Sequence, residues 1–198
     1  FLDVYGKGGA YRLRLRAELL EDAQSRASFG RDLRQLEEMV QGTLDYLRGQ
    51  GEAQPLEPVD LDGLIAQAVE DAEALGTPIA SPEPTGLTVR GHAPSLRRAL
   101  VNLLRNAVVH ASRPALSVQA TLGRVRVHVM DRGPGIPDAD IARVLQPFEQ
   151  LDRSRSNASG AGLGLTIASE VATRHGGQLL ISNRAGGGLC ATLELLAA

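Results

Sequence analysis

Three groups of residues in the second half of the chain have the types and spacing to bind a nucleotide. The first is an asparagine pair, Asn102 and Asn106, four positions apart. The second is an acidic glycine turn at residues 131–137 (DRGPGIP), and the third is a glycine cluster at residues 160–165 (GAGLGL). A small, polar segment at residues 151–159 separates the two glycine groups. Their order predicts a nucleotide pocket with a movable cover, although each group alone is a weak signal.

The asparagine pair belongs to one face of a helix predicted over residues 96–111, with Ser95 as its cap. Spacings of i, i+4 and i+8 place Asn102, Asn106 and His110 on the same side. Asparagine is unfavourable in a buried helix unless its amide has a partner. A carboxamide oxygen is a hard ligand that suits Mg²⁺, which also brings phosphates and waters. The alternative is that both asparagines are solvated surface residues.

Asp131 is a candidate adenine-binding residue because of its position in the alternating pattern of the strand predicted over residues 124–131. Valines occupy positions 125, 127 and 129 and polar residues alternate with them, so the odd positions face inward. Asp131 keeps that phase, and its carboxylate could accept from the amine of adenine while rejecting guanine, whose oxo group cannot donate. Gly133 and Gly135 would let a base approach the backbone. An ordinary turn explains these glycines but not the phase of the aspartate.

The second glycine cluster precedes an apolar helix predicted over residues 163–175. Free backbone amides at a helix N-terminus attract phosphate, so Gly160, Gly162 and Gly164 are candidate phosphate-binding positions. A flexible loop is the alternative.

The polar segment between the glycine groups carries Arg153 and Arg155. These side chains could reach a γ-phosphate when the segment closes, or they are charges of a solvated loop. Pro147 and Phe148, directly before the segment, could anchor the cover through hydrophobic contacts.

The N-terminal third of the chain has the apolar spacing of a helical hairpin, with its turn in the polar residues 21–28. A two-helix hairpin cannot enclose its own apolar stripe, and pairing with a second hairpin forms a four-helix bundle. We therefore expect a homodimer through residues 1–49, the alternative being that the stripe packs on the rest of the same chain.

A linker at residues 50–58 and a compact domain at residues 59–198 follow the hairpin. A wide apolar stripe predicts a helix over residues 61–75, with Asp60 as its N-cap. Predicted strands follow at residues 87–90, 115–121, 124–131, 178–182 and 190–196. Antiparallel strands with helices on one face predict an α+β, two-layer sandwich.

The composition is that of an ordinary globular protein, with 43% hydrophobic and 22% charged residues. A net charge of −2 and 3% aromatic residues give no support to a nucleic-acid partner. The single cysteine, Cys190, excludes an internal disulfide and fits a reducing compartment. No apolar run approaches the ~20 residues that span a bilayer. Because the chain starts at Phe1, we expect a fragment of a longer protein.

These motifs resemble those of sensor histidine kinases over almost the whole chain. Residues 102–107 (NLLRNA) resemble the N box, residues 131–137 the first glycine box, Pro147 and Phe148 the F box, and residues 160–165 the second glycine box. The hairpin, which ends in TLDYLR, resembles the dimerisation and phosphotransfer domain.

The resemblance implies a Bergerat-type ATP-binding fold, Mg²⁺-ATP as substrate, a homodimer, and a response regulator receiver domain as partner. It implies that Asn106 binds the metal and that Asp131 binds adenine. It also implies the cytoplasmic portion of an inner-membrane-anchored bacterial sensor, whose membrane contact lies in a sensor portion N-terminal to this chain. The expected ATP-binding residues are Asn102, Asn106, His110, Asp131, Gly133, Gly135, Ile136, Phe148, Arg153, Arg155, Gly160, Gly162, Leu163, Gly164 and Leu165.

The chain departs from the family at the phosphoacceptor. Residues 1–10 contain no histidine where the family places one, and Val109 stands where the family often has a basic residue. We therefore expect ATP binding with autophosphorylation in doubt. The alternatives are a non-catalytic nucleotide-binding module and a serine kinase or ATPase of the same fold.

Overall fold

A computed structural model of the chain describes residues 22–49, 55–74, 76–151 and 162–198. The first arm of the predicted hairpin, residues 50–54 of the linker, and Arg153, Arg155 and Gly160 lie outside these ranges, so the expectations for them stay predictions. Within the described part, no helix is both long and apolar enough to cross a membrane.

The described residues form five helices and six strands. The helices are α1 (Ala23–Gly49), α2 (Leu61–Glu73), α3 (Ala93–His110), α4 (Ile141–Val144) and α5 (Gly164–Arg174). The strands are β1 (Glu57–Asp60), β2 (Thr88–Gly91), β3 (Ala115–Thr121), β4 (Arg124–Met130), β5 (Gln178–Asn183) and β6 (Leu189–Leu196), and a 3-10 turn covers Asp138–Asp140.

Strands β3 to β6 form an antiparallel sheet in the order β3-β4-β6-β5, while β1 and β2 pair separately. The valines of β4 are buried, and Val127 lies opposite Leu193 of β6. Helix α3 packs between α2 and α5 to form the second layer. The predicted α+β two-layer architecture and the phase of β4 are therefore confirmed.

The outer face of the sheet holds one buried carboxylate, Glu194, which is 3% exposed. Its two oxygens accept hydrogen bonds from Arg126 Nε at 2.8 Å and Arg124 Nη1 at 3.1 Å. The hydrogen bond from Arg126 is the main reason why the pKa of Glu194 lies below its usual value. This network accounts for the arginines at the even positions 124 and 126 of β4.

Asp60 caps helix α2 as predicted, since its carboxylate accepts hydrogen bonds from the amides of Asp62 and Gly63, each at 3.2 Å. Its buried face consists of Leu61, Leu64, Ile65, Ala68, Val69 and Ala72.

The predicted cap of α3 is wrong, because the helix starts at Ala93 and His92 is its N-cap. Pro94 lies in the first turn, where its fixed φ favours a helix start. Ser95 is therefore already helical, and its hydroxyl lies 2.9 Å from His92 Nδ1.

The predicted turn at residues 21–28 is wrong from residue 23 onward, because α1 starts there. Asp22 accepts a hydrogen bond from the Ser25 amide at 2.7 Å and so caps the helix. The polar residues after it are the solvated part of a helix that contains no proline. The predicted linker is also too long, since β1 starts at Glu57 and pairs with β2.

His175 joins the end of α5 to the start of α3. Its ring is 4% exposed, with Nδ1 at 2.6 Å from the Val171 carbonyl oxygen. The backbone amide of His92 donates to Nε2 at 3.0 Å. The ring is therefore held as the neutral tautomer with its proton on Nδ1.

Candidate functional site

The asparagine pair and the start of α5 lie side by side. A Cβ atom at Gly164 would lie 3.4 Å from Asn106 Oδ1 and 3.8 Å from Asn102 Cβ. Leu163, the N-cap of α5, is buried, and Leu165 is partly buried against the core. The fold thus brings together two motifs that are about 60 residues apart in the sequence. A helix N-terminus, which favours anions, adjoins two amide side chains.

Asp131 supplies a carboxylate at the other end of the site. It is 8% exposed, and its Oδ1 accepts hydrogen bonds from the amides of Gly133 at 2.8 Å and Leu189 at 3.1 Å. Among the described residues, none donates a hydrogen bond to Oδ2. The remaining oxygen of this mostly buried residue must therefore be satisfied by water or by a ligand donor. The amine of an adenine fits this requirement.

Hydrogen bonds join the first glycine turn to the residues that follow α3. The amide of Arg132 donates to the Ser112 carbonyl oxygen at 2.8 Å, and the Ser112 hydroxyl donates to the Arg132 carbonyl oxygen at 3.0 Å. A Cβ atom at Gly133 would lie only 2.8 Å from Ala111 Cβ. A neighbouring part of the protein itself therefore requires glycine at position 133.

His110 lies at the exposed C-terminal end of α3, close enough to Asp131 for their charges to interact. Partial burial lowers the pKa of His110, repulsion from Arg105 lowers it further, and attraction to Asp131 opposes both. The predicted stripe of Asn102, Asn106 and His110 thus runs from the start of α5 towards the first glycine turn.

The loop between β5 and β6, which lies outside the sequence motifs, also contributes to the site. The Asn183 side chain accepts from the Ile136 amide at 2.9 Å and donates to the Ile136 carbonyl oxygen at 2.7 Å. Arg184 Nη1 donates to the carbonyl oxygen of Asp131 at 2.7 Å. A run of three glycines, residues 186–188, was the available signal.

The side chain of Phe148 is 52% exposed, and residues 152–159 of the cover that it is predicted to anchor lie outside the described residues. Its backbone has a φ of +65°, and its amide donates to the Gly162 carbonyl oxygen at 3.0 Å. This bond joins the chain just before and just after residues 152–161. The hydrophobic anchor therefore stays a prediction, and the contact that the described residues show at Phe148 is made by its main chain.

No group of three or more His, Cys, Asp and Glu side chains is placed to hold a metal ion in the described ranges. The amide oxygen of Asn106 is a hard ligand of the kind that suits Mg²⁺ in nucleotide sites, where phosphates and water supply further oxygens.

Comparison with known proteins places the site in a family context. The model of the family described as "Histidine kinase-, DNA gyrase B-, and HSP90-like ATPase" matches residues 91–198, which contain the described site. The chain is 38% identical over 190 residues to the sensor histidine kinase GtrS of Pseudomonas aeruginosa, covering 93% of this chain and 38% of that protein. The chain thus spans about two fifths of the length of this curated relative.

Two solved structures resemble this fold. Full-length ShkA in complex with AMPPNP is 30% identical, with a TM-score of 0.72 over 100% of this chain and 45% of that one. The ATP-binding domain of PrrB from Mycobacterium tuberculosis is 25% identical, with a TM-score of 0.61 over 73% of this chain and 99% of that one.

Proposed function

This chain belongs to the histidine kinase-, DNA gyrase B- and HSP90-like ATPase family, and we propose that it is the ATP-binding core of a two-component sensor histidine kinase. The observation that carries the proposal is the open Oδ2 of buried Asp131, in a site that also contains two asparagines and a helix N-terminus. The similarity to GtrS extends beyond the ATPase family match into the N-terminal helices.

In this proposal the two ends of the site have different roles. Asp131 accepts a hydrogen bond from the adenine amine and so selects against guanine. The backbone at Gly162 and Gly164 attracts the phosphates, because the N-terminus of α5 favours anions. Asn106 offers its amide oxygen to Mg²⁺, which would neutralise phosphate charge as phosphoryl transfer requires. Gly160, Arg153 and Arg155 remain predicted phosphate contacts.

We propose that residues 1–49 form the dimerisation hairpin, residues 50–56 the connection, and residues 57–198 the ATP-binding domain, which includes β1. The exposed apolar side chains of α1, including Leu36 and Val40, support a partner for that helix. A response regulator receiver domain is the proposed acceptor of the phosphoryl group. The proposed setting is the cytoplasmic side of a membrane-anchored bacterial sensor.

Calorimetric titration with ATP tests the nucleotide site. Asp131→Asn should keep the fold, because the amide oxygen can still accept hydrogen bonds from Gly133 and Leu189. The substitution nevertheless places an NH2 donor opposite the adenine amine, which is also a donor. We expect the Kd for Mg²⁺-ATP to rise at least about 10-fold, as for loss of a charge-assisted hydrogen bond. Asp71→Asn, which alters a carboxylate in a surface ion pair with Arg97, is the matched control. Unchanged ATP binding by Asp131→Asn contradicts the proposal.

A second candidate function is a non-catalytic, ATP-dependent conformational module. The observation behind it is that residues 1–49 contain no histidine, since all four histidines lie at positions 92, 110, 128 and 175. This second candidate predicts no acid-labile label after incubation of the purified chain with γ-labelled ATP. Acid-labile label on this chain would end the second candidate and would show that autophosphorylation occurs.

A further inference from the structure

The loop between β5 and β6 holds both ends of the first glycine turn. From these contacts we infer that residues 183–189 act as a positioning loop for base recognition, with Asn183 and Arg184 as its positioning residues. The inference rests on the proposed ATP site, and it assigns the basis of base selectivity to residues outside the sequence motifs.

Asn183 holds the far end of the turn. Its Oδ1 accepts from the Ile136 amide at 2.9 Å, and its Nδ2 donates to the Ile136 carbonyl oxygen at 2.7 Å and to Asp138 Oδ1 at 3.0 Å. A Cβ atom at Gly135 would lie 2.5 Å from Asn183 Oδ1. The side chain of Asn183 therefore occupies the space that a side chain at position 135 would need.

Arg184 and Leu189 hold the near end. Arg184 Nη1 donates to the Asp131 carbonyl oxygen at 2.7 Å. The Asp131 amide donates to the Leu189 carbonyl oxygen at 3.0 Å, and the Leu189 amide donates to Asp131 Oδ1 at 3.1 Å. The backbone of Asp131 and one carboxylate oxygen are thus bound by the same loop, which sets the direction of the remaining oxygen.

Three glycines close the loop tightly against Asp131. Residues 186, 187 and 188 have φ values of +79°, +94° and +98°, which L side chains rarely adopt. A Cβ atom at Gly188 would overlap the Asp131 carbonyl oxygen. The Arg184 amide donates to the Gly188 carbonyl oxygen at 2.9 Å and completes the loop.

Selectivity for a base depends on the direction of the hydrogen bond to that base as well as on its strength. A carboxylate oxygen rejects a 6-oxo purine only if it is held in the plane and at the distance of the base edge. Removing a hydrogen bond between this loop and the first glycine turn should therefore weaken the adenine contact more than the contacts to phosphate at the other end of the site.

The test compares Kd values for Mg²⁺-ATP and for Mg²⁺-ITP, whose base has an oxo group in place of the amine. We expect the wild type to prefer ATP, and Arg184→Met and Asn183→Ala each to lower that preference at least about 5-fold through weaker ATP binding. The Kd for ITP should change little. Ala185→Ser is the matched control, because Ala185 is an exposed loop residue that contacts Arg132 only through its carbonyl oxygen.

The outcomes separate this inference from the proposed function. No ATP binding by the wild type overturns both. ATP preference in the wild type with the same ratio in both variants overturns only the positioning role, and so does an equal weakening of ATP and ITP. If Arg184→Met does not fold, Asn183→Ala decides the result, since its side chain is exposed.

Discussion

At the residue scale, Asp131 shows how a carboxylate can be bound by the protein and still be open to a ligand. Two amides share its Oδ1, from Gly133 on the same turn and from Leu189 on another strand. The protein therefore pairs Oδ1 and leaves Oδ2 open to the site. Glycine at neighbouring positions serves this arrangement in two ways, through its backbone conformation and through the space it leaves.

A pair of glycine substitutions separates these two effects. Gly135 and Gly123 have φ values of +76° and +73°, but only at Gly135 would a Cβ atom meet another group, Asn183 Oδ1. Gly123→Ala should lower the free energy of unfolding by about 1 kcal/mol through backbone strain alone. Gly135→Ala should lose at least about 1 kcal/mol more, because it also displaces a hydrogen-bonding side chain. Urea unfolding measures both, and equal losses would contradict the crowding argument.

At the element scale, the helical layer is joined by hydrogen bonds at helix ends as well as by apolar packing. The neutral ring of His175 connects the last turn of α5 with the residue that precedes α3. Burial lowers the pKa of His175, the Val171 carbonyl opposes this shift, and repulsion from His92 adds to it. The same contact between α3 and α5 places Gly164 next to Asn106. This contact, which we call the α3–α5 junction, therefore also supports the site.

The junction predicts a pH dependence of stability. Since the folded-state pKa of His175 is lowered, the unfolded chain binds more protons between that pKa and the ordinary value of about 6.5. Stability should be constant with respect to this group above about pH 6.5 and should fall as the pH decreases below it. Urea midpoints at pH 7.5 and pH 5.5 measure the effect.

A histidine-free junction is the control for this pH dependence. His175→Gln should reduce the difference between the two pH values, even though it destabilises the protein at both. His128→Gln, on the less enclosed outer face of the sheet, should reduce it less. An undiminished difference in His175→Gln would show that other groups cause the acid destabilisation.

At the scale of the whole molecule, helix α1 carries apolar side chains that the described part of the chain leaves exposed. Phe29, Leu36 and Val40 are 39%, 56% and 55% exposed, and they share one helix face with buried Leu33. Exposed apolar side chains aligned along a helix are typical of a contact with another helix. A second copy of the chain is the partner that the hairpin predicts.

The dimer prediction is tested by Leu36→Glu combined with Val40→Glu. Charges on a buried helix contact should dissociate the dimer, and sedimentation velocity should then report a monomer at micromolar concentration. The ATP affinity should stay unchanged, since the described site contains no residue of α1. Ala27→Glu, on an exposed and roughly opposite position of α1, should remain dimeric. A monomeric wild type would contradict the prediction.

The sequence predicted those parts of the fold that depend on neighbours along the chain. Alternation gave the phase of β4 and the inward position of Asp131, and a capping aspartate gave the start of α2. It did not predict β1, because Glu57 and Pro58 lie in a proline-rich segment and become a strand only by pairing with β2. Nor did it predict the orientation of Phe148, which depends on a backbone bond to Gly162.

The sequence by itself determined the kind of site this protein has, because ordered short motifs encode the local chemistry of asparagine, aspartate and glycine. Only the tertiary structure decided what holds that site in place. Arg184 is 53 residues from Asp131, and Asn183 is 47 residues from Ile136. No local pattern links residues so far apart, since their contact exists only after β6 has paired with β4 and brought the β5–β6 loop over the first glycine turn.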